Sequence, residues 1–464
     1  MATVTGLATV DHIVVLMLEN RSFDHMLGFL YTDAGNKSPA GDAFEGLSGS
    51  ESCPGSDGHP VQVSPLTPGT TDLYFYPGAD PGEGYTATND QCYGSPQAPA
   101  EGAVAPMQGF VTNYAQAIRD NRSKGWYVFP GTAEGWIMGC YTPQTLPVLS
   151  ALARGFCVCD HWYCSVPTMT MPNRAFLCAG TSQGQMDDKT KSFTVGSIFG
   201  ALSGARVSWK IYGYDKPPLT KSDFPDTKAA PAANFGLFTD FQADAQSGTL
   251  PAYAFLEPSW GSDGNSQHPN YNMALGEQLI LDTYRALRDG PEWESTLLVV
   301  TYDEHGGCYD HVSPPWGATP PDTTPGEYGF DFTRFGPRVP TILAGARIPA
   351  GTVHRVAEGA TPFDHTSVLA TLEHRFGLQA LTRRDAAAPD VGGALTLATP
   401  RTDDPLAGVT APAPPTNPTG LVVQPSHLQQ VQAALVAEDA GVPAQTLSGL
   451  RTNQEYGRFI AEHG

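Results

Sequence analysis

No stretch of the 464 residues is long and apolar enough to cross a bilayer, which takes a run of ~20 residues. No internal repeat is visible either, which excludes solenoids and propellers. Cations are scarce: 26 lysines and arginines face 47 acids, a net charge of −21. Such a surface repels polyanions, so nucleic acid and bulk anionic lipid are excluded as docking partners. A single anionic group can still be drawn to a locally positive metal site. The opening MATVTGLATVDHIVVLML lacks a basic n-region and enters a strand-like run at once. It reads as mature protein and not a signal peptide, and the expected compartment is the cytoplasm. The eight cysteines show no zinc-finger spacing, and five fall between 140 and 178 in apolar segments. They read as buried reduced thiols.

What is present is a chain able to build a large core, with 41% hydrophobic residues and 10% aromatics. Four continuous apolar runs read as buried parallel strands: Ile13–Leu18, Phe156–Val158, Leu297–Val300 and Val339–Leu343. Helical patterns lie between them at Pro147–Arg154, Met273–Arg288 and Asp364–Phe376, the last with Asp364 as N-cap and Gly377 as stop. This alternation predicts a doubly wound α/β sheet, mostly parallel, with helices on both faces. The Gly/Pro/Asp-rich stretches 32–108, 213–235 and 313–330 are too long for simple connections and read as lids or decoration. Residues 401–424 form a Pro-rich strap, followed by helices at His427–Asp439 and Asn453–His463. The expected division is a catalytic unit over 1–400 and a tail over 401–464 packed on it.

Two of the strands end alike. Ile13–Leu18 runs into Glu19-Asn20-Arg21-Ser22, and Leu297–Val300 into Thr301-Tyr302-Asp303-Glu304-His305-Gly306-Gly307. Open α/β sheets bind ligands beyond the carboxyl ends of their strands. Glu19, Asn20, Asp303 and Glu304 would meet there, and close carboxylates repel unless a cation neutralises them. Oxygen ligands suit a divalent ion, with zinc, manganese, calcium, magnesium and iron all compatible. Either pair alone could equally be helix caps or solvated loop acids. The third element is Thr170-Met171-Pro172-Asn173-Arg174. Pro172 suits the first turn of a helix. Thr170 would then sit at a helix N-terminus, its hydroxyl beside the metal, with Asn173 and Arg174 reaching phosphate oxygens. Alone, this segment is a capped helix.

Together, EN-RSFDH at 19–25, TMPNR at 170–174, DEHGGCYDHV at 303–312 and DHTSVLATLEHRFGL at 364–378 resemble one family over nearly the whole chain. It is the bacterial and plant phosphoesterase family of phospholipases C and related acid phosphatases, within the alkaline-phosphatase-like superfamily. The resemblance implies metal-dependent hydrolysis of a small-molecule or lipid phosphate ester through a phosphothreonine on Thr170. It implies Glu19, Asn20, Asp303, Glu304 and Thr170 as metal ligands, with His268 and His311 as catalytic histidines. His25, His305 and His365 are expected in supporting roles. The chain departs from the family at Asp80-Pro81-Gly82-Glu83, where Glu83 replaces the histidine of DPxH, and at Gln108 within MQGF, usually MDGF. Glu83 is therefore expected at the substrate, carried there by the 32–108 lid. Two other functions stay open: a metal-dependent hydrolase or lyase acting on a non-phosphate substrate, and a non-catalytic binding protein.

Overall fold

The computed structural model describes residues 6–189 and 192–464. Met1–Thr5, which open the segment read as mature N-terminus, lie outside the described residues. The centre is an eight-stranded sheet. Its strands, in chain order, are β1 (His12–Leu18), β2 (Cys157–Val158), β3 (Trp209–Gly213), β4 (Phe235–Leu237), β5 (Tyr253–Glu257), β6 (Thr296–Tyr302), β7 (Thr341–Ala344) and β8 (Thr352–Val353). Their spatial order is β8-β2-β7-β6-β1-β5-β3-β4. The block from β6 to β4 is parallel. Consecutive residues of β1 and β6 are all buried, apart from His12, so both faces of the sheet are covered.

The main helices are α1 (Tyr85–Tyr93), α2 (Phe110–Lys124), α3 (Pro147–Gly155), α4 (Thr170–Ala179), α5 (Phe238–Ser247), α6 (Met273–Arg288), α7 (Thr366–Phe376), α8 (His427–Asp439) and α9 (Asn453–His463). α3 starts on Pro147, and the buried carboxylate of Glu277 on α6 accepts the N–H groups of Val148 and Leu149 at 2.7 and 3.0 Å. That satisfies donors the first turn of a helix leaves open. α7 begins one residue later than its sequence suggests. His365 holds the N-cap position, and Asp364, in a short strand, accepts the Thr366 N–H at 3.0 Å.

Two expectations are corrected. The run around Val339–Leu343 becomes β7, which pairs antiparallel with both β6 and β2. A buried run records that both faces are covered and is silent on direction. The 32–108 stretch is more than loop. It contains α1 and short strands, and Leu47, Cys53, Ala79, Cys92 and Met107 pack with Phe110, Val111 and Tyr114 of α2 into a second core. At the other end of the chain, Leu428, Val431 and Leu435 of α8 join the main core. All eight cysteines are buried free thiols.

Candidate active site

Leu18 and Tyr302, the last residues of β1 and β6, are register partners. Glu19-Asn20 and Asp303-Glu304 therefore leave the sheet side by side. Asn20 adopts a left-handed φ of 56°, and its N–H donates to Asp303 Oδ1 at 2.8 Å. Two glycines let the strand ends approach. Gly306, at φ 62°, is so close that a Cβ would sit 1.9 Å from the Asn20 carbonyl oxygen. At Gly307, φ 64°, a Cβ would meet the Gly82 carbonyl at 2.6 Å, so the segment before Glu83 lies directly on this turn.

Thr170 is the first residue of α4 and is 2% exposed. Its hydroxyl donates to Asn20 Oδ1 at 3.1 Å. The next N–H, of Met171, is already taken by Asp188 Oδ1 at 2.7 Å. Arg174, one turn along, donates through Nε to Asp303 Oδ2 at 3.0 Å and through Nη2 to the carbonyls of Met17 and Leu18. Its guanidinium stacks 4.5 Å from the Trp260 ring, and Nη1 is buried without a protein partner. Asn173 does not extend to the hydroxyl side. Its carboxamide accepts the Val166 N–H and donates to the carbonyls of Val166, Thr168 and Met169, so it fastens the turn leading into α4.

The 32–108 segment brings Glu83 against the same group. Asn20 Nδ2 donates to Glu83 Oε1 at 2.7 Å, and His268 Nε2 lies 3.3 Å from that oxygen. Asp80, Glu83 and His268 form a tight acid–histidine cluster. Burial disfavours a charged His268, but Asp80, Glu83 and Glu19 outweigh it and raise the imidazole to about 10. Burial also pushes Glu83 up, yet the hydrogen bond and charge of His268 and the Asn20 amide hold it below the usual carboxylate value. Asp80 moves up to about 7 through burial and the neighbouring Glu83. His305 is lowered to about 3 and His365 to about 4, both by burial. His305 faces Gln91, and His365 faces the Asp303 carbonyl at 2.6 Å, supporting positions in both cases. His25 is likewise held uncharged by burial and Arg21.

A divalent cation fits the oxygens present. Glu19 Oε2 and Glu304 Oε1 are buried without a hydrogen-bond partner. Glu19 is raised to about 7 by burial and by Asp303, and Glu304 well above its ordinary value by burial, Glu83 and Asp303. Buried acids this crowded call for positive charge. Asp303 is engaged on both oxygens, by the N–H groups of Asn20 and Glu304 and by Arg174. Glu19, Asp303 and Glu304 do not close into a tight triple. The compact acid–histidine groups among the described residues are Asp80/Glu83/His268 and Asp24/Asp310/His311.

His311 belongs to the latter group. Its Nδ1 lies 2.6 Å from Asp24 Oδ2, with Glu45 at 3.8 Å, while Arg338 bridges Asp24 and Asp310. None of the partners it contacts belongs to the Thr170 group. Sequence reading missed Asp188, Trp260 and His427. Each is a single residue in an irregular segment or a tail, with no motif spacing to mark it. A cavity of about 540 Å³ between residues 259–265 and α9 shares no residue with the Thr170 group.

A buried hydroxyl at a helix N-terminus, beside carboxylates and an imidazole at the ends of parallel strands, is the kind of group that hydrolytic chemistry uses. The comparisons make the class specific. The chain belongs to the Phosphoesterase family, whose model matches residues 10–379, and it is a phosphoric ester hydrolase. It is 35% identical to non-specific phospholipase C6 of Arabidopsis thaliana over 412 residues, 85% of this chain and 74% of that protein. It is 31% identical to phospholipase C A of Mycobacterium tuberculosis over 435 residues, 85% of this chain and 78% of that protein. A solved protein of the alkaline phosphatase superfamily from Vibrio parahaemolyticus shares 14% identity at a TM-score of 0.33, covering 53% of this chain and 65% of its own. No helix among the described residues is long and apolar enough to cross a membrane.

Proposed function

We propose that the protein is a metal-dependent, phospholipase C-like phosphodiesterase or phosphatase that works through a phosphothreonine on Thr170. One observation carries this reading: the Thr170 hydroxyl lies buried at the start of α4, 3.1 Å from Asn20 Oδ1, between strand ends whose Glu19 and Glu304 each keep a buried, unpartnered oxygen. Glu19, Asn20 and Glu304 would hold the metal, with Asp303 behind them tied to Arg174. When bound, a divalent ion lowers the pKa of the hydroxyl and offsets charge on the phosphoryl oxygens.

The protein groups do the rest. Asn20 and the start of α4 fix the hydroxyl's line of attack. Arg174 Nη1 is free to take a phosphoryl oxygen, with its guanidinium clamped by Asp303 and Trp260. Thr170 Oγ releases its proton to solvent and bonds to phosphorus as the bond to the ester oxygen breaks, and His268 gives that departing oxygen a proton and is reprotonated from solvent. Glu83, which stands in place of the family's histidine, keeps that proton on His268. Water then bonds to phosphorus as the Oγ–P bond breaks, one of its protons returning to Thr170 Oγ and its hydroxyl leaving with the phosphate product. The relatives' names point to phospholipids as the substrate class, and small phosphate esters fit the same chemistry. The ion pair between Glu83 and His268 makes the departure from DPxH compatible with phosphate chemistry, against a non-phosphate substrate.

The test is a panel of phosphomonoesters, phosphodiesters and phospholipids, assayed after chelation and after add-back of single metals. Turnover that vanishes with chelator and returns with one ion, plus a trapped phosphoenzyme on Thr170, is expected. Full turnover in chelator would remove the metal from the reading, and no turnover of any ester would remove phosphate.

A further inference from the structure

The family match ends at residue 379, yet the chain beyond it returns to the catalytic centre. The short helix Thr419–Val423 sets Leu421 in one apolar cluster with Phe75, Phe129 and Tyr271, and the Tyr271 ring lies tilted 4.8 Å from the His268 imidazole. The Gln424 carbonyl accepts the Ser262 hydroxyl, and the Ser426 hydroxyl donates to the Trp260 carbonyl. Trp260 is the platform beneath Arg174. His427, the first residue of α8, sets Nδ1 3.4 Å from Asp188 Oδ2. The other Asp188 oxygen holds the Met171 N–H, next to Thr170. Within nine residues, 419–427, the end of the strap and the start of α8 reach the direct supports of His268, Arg174 and Thr170.

His427 is an unexpected choice on local grounds. A cation in the first turn of a helix opposes the helix dipole. α8 is already capped by Ser426, which accepts the Gln429 N–H at 3.0 Å, so its start needs no second group. Local choices that conflict with propensity concentrate at functional positions. The geometry supplies the reason. The Asp188 side chain is 2% exposed and that of His427 51%, so the ring bridges a buried carboxylate and open solvent. Burial opposes its charge, but Asp188, and beyond it Glu83 and Asp80, raise it above the ordinary imidazole value. On a protein of net charge −21, an anionic substrate needs a local cation at the point of entry.

We infer that His427 is a substrate-binding residue, carried by the C-terminal strap and the start of α8 to the mouth of the centre, where its imidazolium takes a non-bridging oxygen of the incoming phosphate ester. This rests on the phosphoesterase reading of Thr170. The test uses the full chain as wild type, His427→Ala and His427→Lys, with the best ester of the panel and with inorganic phosphate as a binding probe in calorimetry. His427→Ala is expected to raise KM and weaken phosphate binding about tenfold, the scale of one partly exposed charge-assisted hydrogen bond. Its kcat and melting temperature should hardly move. His427→Lys should restore both affinities and keep KM flat at alkaline pH, where the wild-type KM climbs as His427 deprotonates. Unchanged KM and phosphate affinity in His427→Ala overturn the inference. So does a fall in kcat and melting temperature together that lysine does not rescue, because that is the signature of a strap that only packs. If the wild type hydrolyses no ester, the phosphoesterase reading fails by itself, and the calorimetry still decides His427: phosphate binding lost in the alanine variant supports it, and equal binding refutes it.

Discussion

Replacing Thr170 by valine keeps the β-branched shape at the first position of α4 and removes one oxygen. Thr170 is buried, and its described hydrogen bond is the one to Asn20 Oδ1 at 3.1 Å. The folding cost is the loss of that bond, about 1 kcal/mol. In a chain of this size that lowers the melting temperature by about 2 °C or less. The catalytic cost is of another order. Losing the proposed nucleophile should remove ~4 kcal/mol or more of transition-state stabilisation, roughly a thousandfold in kcat/KM. Thr170→Ser keeps the hydroxyl without the methyl that limits its rotamers, so it should retain reduced activity and still form a phosphoenzyme. The assay is initial-rate hydrolysis of the best ester, with thermal unfolding on the same preparations and mass spectrometry of acid-quenched enzyme. A valine variant within about tenfold of wild type would refute the reasoning. Water would then attack phosphorus directly, and the start of α4 would serve only to bind an anion.

Two further outcomes follow from the geometry. Gly306→Ala would put a Cβ 1.9 Å from the Asn20 carbonyl in a left-handed backbone. It should destabilise the fold by several kcal/mol and abolish activity, and wild-type melting and turnover would show the contact to be softer than it is here. His311 is opposed by burial but raised to about 10 by Asp24 and Glu45. Its folded pKa lies above the unfolded value of about 6.5, so its stabilisation is complete below that pH and lost as pH rises toward 10. The melting-temperature gap between wild type and His311→Gln should be widest near pH 6 and shrink by pH 10. A gap that grows with pH would contradict the ion pair with Asp24.

The chemistry was legible in the sequence wherever it was local to a strand end. The continuous apolar runs of β1 and β6 and the polar residues that follow them placed Glu19, Asn20, Asp303 and Glu304 without coordinates, because a strand buried on both faces must surface at its end. The helix start at Thr170 was legible through Pro172. β3 and β5 escaped notice. Trp209–Gly213 is interrupted by Lys210, whose amine pairs with Asp244 of α5 at 2.8 Å, and that compensation is invisible along the chain. The reversed direction of β7 was equally hidden, since burial does not encode polarity. Tertiary structure alone decided which polar groups are consumed. Asn173 turns to the backbone of 166–169, Arg174 pairs with Asp303, and His311 joins Asp24 in a separate network. It alone joined Glu83 to His268, and His427 to Asp188, across 185 and 239 residues of chain. Side-chain type and strand pattern are properties of neighbours in sequence. The charge, partners and free lone pairs of a buried group depend on what the fold sets beside it.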